Sequence, residues 1–323
     1  MPVGMTHSWR GLLPGMLMML ALLSGCATQT RSLLQSASTT RLPPKVELVS
    51  TPFFPQERYQ CGPAALAMSL NAAGISATPD ALVPQVYVPQ REGSLQPEML
   101  AAARRNGALS MTVPPTIEAL VTELSAGNPV IVLQNLSLPW FPLWHYAVAI
   151  GYDLNTGDIV LRSGTTEREI MPLSTFEHTW ARSGYWGMVV LPPGRLPATA
   201  DEQAVVAATV AFEKNGDAAL ARKAYDAALK RWPHKLTLQM GYGNSAYAAG
   251  DRQAAAAAFR TAAQEHPDSA PAFNNLASVL ADLGEFKEAR KAAENAAALG
   301  GPWREAAQAT LRAIEDRERK AGR

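Results

Sequence analysis

The chain has 323 residues, with Lys+Arg 29 against Asp+Glu 28 and two cysteines. At roughly 100–200 residues per domain this length predicts two domains, and 47% hydrophobic with 18% charged residues excludes global disorder and a disulfide-stapled miniprotein. A net charge of +1 supplies no field for steering nucleic acid, so no nucleic-acid partner is expected.

Residues 1–25 read as a secretory signal. The apolar run from Leu12 to Leu23 is interrupted by Pro14 and Gly15. It is short of the roughly 20 residues a membrane span needs, and it fits a signal-peptide core. The run ends in Leu23-Ser24-Gly25-Cys26, which resembles a bacterial lipobox. That resemblance implies cleavage before Cys26 and lipidation of its thiol. Ala27 follows the cysteine where Asp would signal retention, which in Gram-negative lipoproteins favours the outer membrane. The expectation is a cell-envelope protein held to the membrane by lipid and facing the periplasm. A lipidated Cys26 is not free to pair with Cys61. Residues 26–44, rich in Ser, Thr, Gln and Arg and closing with Pro43-Pro44, read as a flexible lipidated tether.

Residues 45–193 mix strand-like and helix-like segments. From Pro63 to Ala73 the pattern is helical, and Pro63 suits a first helical turn. Cys61 therefore sits at a helix N-terminus, where the dipole and free N–H groups lower a thiol pKa. Gly62 is expected to let the backbone approach a substrate. Gln56, five residues upstream of Cys61, can return its amide to an oxyanion beside the sulfur, with the Cys61 N–H as second donor.

Further helices are expected from the segment Gly93–Glu98, carrying Met99 and Leu100, and over Ile117–Ser125, with a strand over Pro129–Leu133. The aromatic, proline-rich stretch from Leu138 to Leu143 reads either as a wall of the cleft or as packing under a loop. Of five histidines, His7 lies in the signal, while His234 and His266 sit at helix ends. His145 opens the bulky run Trp144–Asp153, a buried strand, and is the candidate base; His178 lies in a segment that reads as a surface helix. The segment Tyr185–Leu191 is expected to close the sheet.

The Gln56…Cys61-Gly62-Pro63-Ala64-Ala65-Leu66-Ala67-Met68 block and the Trp144-His145-Tyr146-Ala147-Val148-Ala149-Ile150-Gly151-Tyr152-Asp153 block resemble papain-like cysteine peptidases of the bacteriocin-leader, or double-glycine, type. The resemblance implies an α+β papain-like domain, with Cys61 as nucleophile, His145 as base and Gln56 as oxyanion donor. Two departures stand out. Gln60 precedes the cysteine where many such peptidases have Asp. The expected place of the third triad member holds Arg162 or Ser163. Asp153 lies eight residues along the strand from His145, roughly 26 Å at about 3.3 Å per residue. Asp158 follows the turn at that same end. The returning chain reaches His145 only near 163–168, which makes Ser163 and Glu167 the candidates for orienting the imidazole. No cofactor and no metal are expected, because no Walker motif, paired-cysteine pattern or His-x-x-x-His is present.

Residues 194–201 form a Pro-rich linker. Beyond it the chain repeats every 34 residues: Gly216, Gly250, Gly284; Ala221, Ala255, Ala289; Tyr225 and Phe259; Pro233 and Pro267. This resembles the tetratricopeptide repeat and implies an all-α solenoid of three units over 202–303, with a capping helix and tail at 304–323. Such stacks bind a peptide or protein partner. The reading is an envelope cysteine peptidase acting on a peptide or protein substrate. Two others stay open: an amidase or transferase with the same Cys–His chemistry, and an inactive peptidase-like adaptor acting through its repeats.

Overall fold

The computed structural model describes residues 27–36, 41–56, 60–214 and 217–321. The signal at 1–25 and Cys26 lie outside the described residues.

The N-terminal domain is a seven-stranded sheet covered on both faces. Its strands are β1 (Lys45–Glu47), β4 (Leu109–Thr112), β5 (Val130–Asn135), β6 (Trp144–Asp153), β7 (Asp158–Ser163), β8 (Thr166–Pro172) and β9 (Gly187–Leu191). The order is β4-β9-β5-β6-β7-β8. Strand β6 pairs with β5 through Ala149, and from Gly151 its far end pairs with β1. A side chain at 151 would meet the Val46 carbonyl at 2.4 Å, so only glycine lets the two strands approach. Strand β9, last in sequence, does not close the sheet: it lies inside it, between β4 and β5. A separate two-stranded pair is formed by β2 (Tyr87–Val88) and β3 (Gly93–Ser94), so the helix expected from Gly93 starts only at Gln96.

One face is covered by α2 (Cys61–Ala72), α3 (Pro79–Val86) and α4 (Gln96–Arg105), packed on Tyr146, Val148 and Ile150. The other is covered by α1 (Thr28–Gln35), α5 (Ile117–Ser125) and α6 (Leu173–Ala181), packed on Ala147 and Ala149. Residues 146, 148 and 150 thus feed one layer and 147 and 149 the other, as the period of two requires, and past the register shift between Ala149 and Gly151 Tyr152 joins the layer of Ala147 and Ala149. Each fully buried Leu or Phe contributes about 1.5–3 kcal/mol.

Two sequence expectations change here. The tether contains helix α1, whose Thr30 and Leu33 are buried. The buried carboxylate of Glu177 accepts from the backbone N–H of Gln29 (3.1 Å) and Thr30 (2.7 Å), capping that helix. Helix α6 is no surface helix, since Leu173, Phe176, Glu177 and Trp180 are all buried, while His178 turns outward.

The repeats form the helix pairs α7 (Glu202–Glu213)/α8 (Ala218–Arg231), α9 (Leu236–Ala248)/α10 (Arg252–Glu265) and α11 (Ala270–Asp282)/α12 (Phe286–Leu299). Helix α13 (Arg304–Ala321) follows them. Gly250 and Gly284 sit between paired helices at φ 85° and 80°, a conformation glycine adopts without strain. Gly243 has another role: a side chain there would strike the Phe259 ring at 2.5 Å. Gly241 does the same for the Tyr225 ring, so each of the two periodic aromatics packs on a glycine of α9.

The linker is not loose. The fully buried Glu123 carboxylate accepts from Ala198 N (3.2 Å), Thr199 N (2.7 Å), Thr199 Oγ1 (2.6 Å) and Asn128 Nδ2 (2.7 Å). Beyond it, Val205, Phe212, Tyr225 and Leu238 join the same apolar core as the sheet face. The first repeat is thereby fused to the N-terminal domain. Replacing Glu123 by Ala strands several buried donors, and each unmet group costs about 1–3 kcal/mol. Glu123→Ala is expected to lower the urea unfolding midpoint by an amount equivalent to about 2–3 kcal/mol. An unchanged midpoint would count against the clamp.

Candidate active site

Sequence places Cys61 at the start of α2 and His145 at the start of β6, and packing of α2 on β6 brings both to one cleft. The cleft has a volume of about 890 Å³ and is also lined by Gln56, Ser94, Leu143, Trp144 and Tyr146. Gly62 is required for a reason other than substrate access: a side chain there would meet Ser94 Oγ at 2.2 Å. Strand β3 is thus pressed against the first turn of α2. The Tyr146 hydroxyl holds β3 in place by donating to the Ser94 carbonyl (3.1 Å).

The Cys61 sulfur receives backbone hydrogen bonds from Tyr146, Gly62 and Cys61 itself. The first of these ties the sulfur to the residue beside His145. The helix N-terminus does not prevail, however. Burial is the larger effect and pushes the thiol above its ordinary value of 9.0. Burial likewise pushes His145 below its ordinary 6.5, opposed by the negative charge of Glu169. Near neutral pH the resting pair is therefore thiol and neutral imidazole, in place of the lowered thiol pKa expected from the helix N-terminus.

His145 Nε2 lies 3.0 Å from Ser163 Oγ. Ser163 is thus the polar side chain placed against the imidazole. Glu167 is not at the site. The chain turns at Gly164 (φ 58°), so Glu167 falls on β8, one strand beyond β7 from His145. Its carboxylate is exposed and pairs with Arg162 at 3.6 Å. Arg162 is itself buried, and donates to the carbonyls of Val49 (3.3 Å), Thr51 (3.0 Å) and Glu167 (2.6 Å). It props the segment leading to Gln56, whose N–H donates to the Gly164 carbonyl (3.0 Å). The Gln56 side chain lines the cleft, with Nε2 at 3.5 Å from the Tyr146 carbonyl and Oε1 buried without a partner.

Sequence reasoning missed Glu169 and Ser94. Glu169 pairs with Leu161 across β7 and β8, a register visible only once the Gly164 turn is known. Ser94 carries no motif. The glycine after the cysteine was its only trace, and it points to close packing without naming the neighbour.

Residues 48–188 match the Peptidase_C39 like family, and residues 210–270 and 243–314 match the tetratricopeptide repeat. The chain joins a C39-like peptidase domain to tetratricopeptide repeats. Among solved structures, a protein described as a C39-like peptidase from Bacillus anthracis is 21% identical, with 46% of this chain and 97% of that one covered and a TM-score of 0.38. The peptidase domain of Streptococcus ComA, a bi-functional ABC transporter of a quorum-sensing pathway, is 17% identical over 44% of this chain and 98% of that one (TM-score 0.35). The repeat half is similar to the Yersinia enterocolitica type III secretion translocator chaperone SycD, 18% identical over 38% of this chain and 86% of that one (TM-score 0.35). No curated protein matches the sequence.

The raised Cys61 pKa sets a pH signature. A raised acid pKa keeps the thiol neutral until pH passes its ordinary value of 9.0. Alkylation of Cys61 by iodoacetamide is expected to keep accelerating beyond that pH. A rate that levels off near neutrality would show a preformed thiolate instead.

Proposed function

We propose that the protein is an envelope-anchored cysteine peptidase that uses Cys61 and His145 to cleave a peptide bond, with its repeats binding a protein substrate or partner. The observation that carries this reading is the 3.0 Å contact between His145 Nε2 and Ser163 Oγ in the cleft that Cys61 also lines. With Nε2 engaged by the serine, Nδ1 remains for the sulfur side. The lipobox-like Leu23-Ser24-Gly25-Cys26 supports the lipid anchor, and Ala27 supports the outer membrane.

The mechanism follows from the neutral resting pair. As the sulfur attacks the scissile carbonyl, its proton passes to neutral His145, and the imidazolium forms only then. The negative charge of Glu169 favours that imidazolium. The serine hydroxyl fixes the ring without taking a proton, the role an orienting residue plays in a triad. The Cys61 N–H and the Gln56 amide supply the oxyanion donors, which requires Gln56 Nε2 to leave its long contact with the Tyr146 carbonyl. The imidazolium then gives its proton to the leaving amine, and water releases the thioester.

Cleavage of casein or a casein-derived peptide library is the measurement. His145→Ala is expected to lower kcat/KM by about 10²–10⁴-fold, with Cys61→Ala inactive. If His145→Ala left cleavage intact, the reading would fall.

Ser163→Ala removes one neutral hydrogen bond, so a loss of about 2- to 10-fold is expected. Ser163→Asp restores a carboxylate at the ring. A facing negative charge raises the imidazole pKa, so the acidic limb of the kcat/KM profile should move to higher pH in that variant. A limb that does not move would mean that residue 163 does not face the base.

A further inference from the structure

The loop between β5 and β6 is unlike any other surface described. Residues 136–144 contain no charged side chain. Trp140 and Phe141 at its tip are 79% and 76% exposed, and Leu138 beside them is 48% exposed. Exposed apolar patches of this kind mark interaction sites.

The tip is held out by a frame. Buried Asn135 accepts at Oδ1 from the N–H of Ser137 (3.0 Å) and Leu143 (2.9 Å), and donates from Nδ2 to the Leu138 carbonyl (3.3 Å). Arg182 donates to the carbonyls of Asn135 (3.0 Å) and Ser137 (2.8 Å). Leu136 N–H donates to the Leu143 carbonyl (2.9 Å), and Phe141 N–H to that of Leu138 (3.1 Å). A slack loop would fold its rings onto the body to bury them, and this frame prevents it.

The tip is also separate from the substrate cleft. Leu143 and Trp144 at the loop's base line the cleft, whereas Leu138, Trp140 and Phe141 do not. An uncharged loop bearing Trp, Phe and Leu has the chemistry of the boundary between lipid headgroups and acyl chains.

The N-terminus supplies the second argument. In the envelope reading the lipid-bearing residue is Cys26, immediately before Ala27. The described chain begins at Ala27, next to the helix that Glu177 of α6 caps, while Arg182, five residues further on, grips the loop. Five helical residues rise about 7.5 Å. One short helix therefore carries both the N-terminal end of α1 and the base of the aromatic tip.

We propose that the 138–141 tip is a membrane-interface wedge, inserting Trp140 and Phe141 into a lipid surface next to the active-site cleft. The choice of a bilayer as occupant rests on the envelope reading. Because the loop has no cations, binding is driven by apolar burial and depends little on salt.

The test uses the chain from Ala27 onward, which keeps every described element and carries no acyl chain. It is sedimented with phosphatidylcholine vesicles. Binding is expected to persist in about 0.5 M salt, where exposed charge interactions are screened. The double variant Trp140→Ser/Phe141→Ser should weaken partitioning by about tenfold or more, with an unchanged thermal melt and unchanged Cys61 alkylation. Vesicle binding that the variant retains, or no binding by the parent chain, overturns the proposal. So does a variant that slows casein cleavage without vesicles, which would make the tip a peptide-docking surface. Because no lipid is attached, failure here is distinct from failure of the anchor, which is read by palmitate labelling at Cys26.

Discussion

Burial of β6 on both faces is the constraint from which the rest of the architecture follows. From Tyr146 to Ile150 its even residues pack under α2–α4 and its odd residues in the layer that holds α5 and α6. A strand enclosed in this way cannot slip by one residue without exchanging the contents of two cores. That fixes His145 relative to Ser163 on β7, and Tyr146 relative to the sulfur of Cys61 on α2. The precision of the site is inherited from apolar packing far larger than the site itself.

Much of this was legible in the residues. The helix beginning at Cys61, the strand beginning at Trp144 and the 34-residue repeat all rest on local patterns that the structure follows. Ser163 emerged from counting along a hairpin. Glu167 emerged from the same count and failed, because the count ran straight through a turn at Gly164. The protonation state of Cys61 failed for a related reason. The helix N-terminus is local and visible in sequence, whereas the desolvation that outweighs it comes from residues distant along the chain. Arg162 looked like the wrong residue in the triad position. It is a support for the segment before Gln56, a role that depends on carbonyls at residues 49 and 51, more than 100 positions away.

The two halves matched to different families are one packed object at their junction. The first repeat supplies Val205, Phe212 and Tyr225 to the core under the sheet, and Glu123 gathers the linker backbone. A repeat stack propagates stability from neighbour to neighbour. Here that chain of neighbours begins at the peptidase-like domain, so the solenoid needs no polar cap at its N-terminal end. The repeats pack into the core on one face of the sheet, and the cleft lies on the other face, under α2.

The clamp of Glu177 on α1 bears on reach. A slack leader of this length would let the body wander, and the local concentration of any neighbour would be diluted over the volume swept. With the helix fastened two residues after Ala27, whatever precedes it is joined by a bracket and not by a leash. In the lipid-anchored reading proposed above, the domain samples a thin shell instead of a hemisphere. Targets lying flat within that shell are met at nearly constant orientation, and those standing further off are out of range.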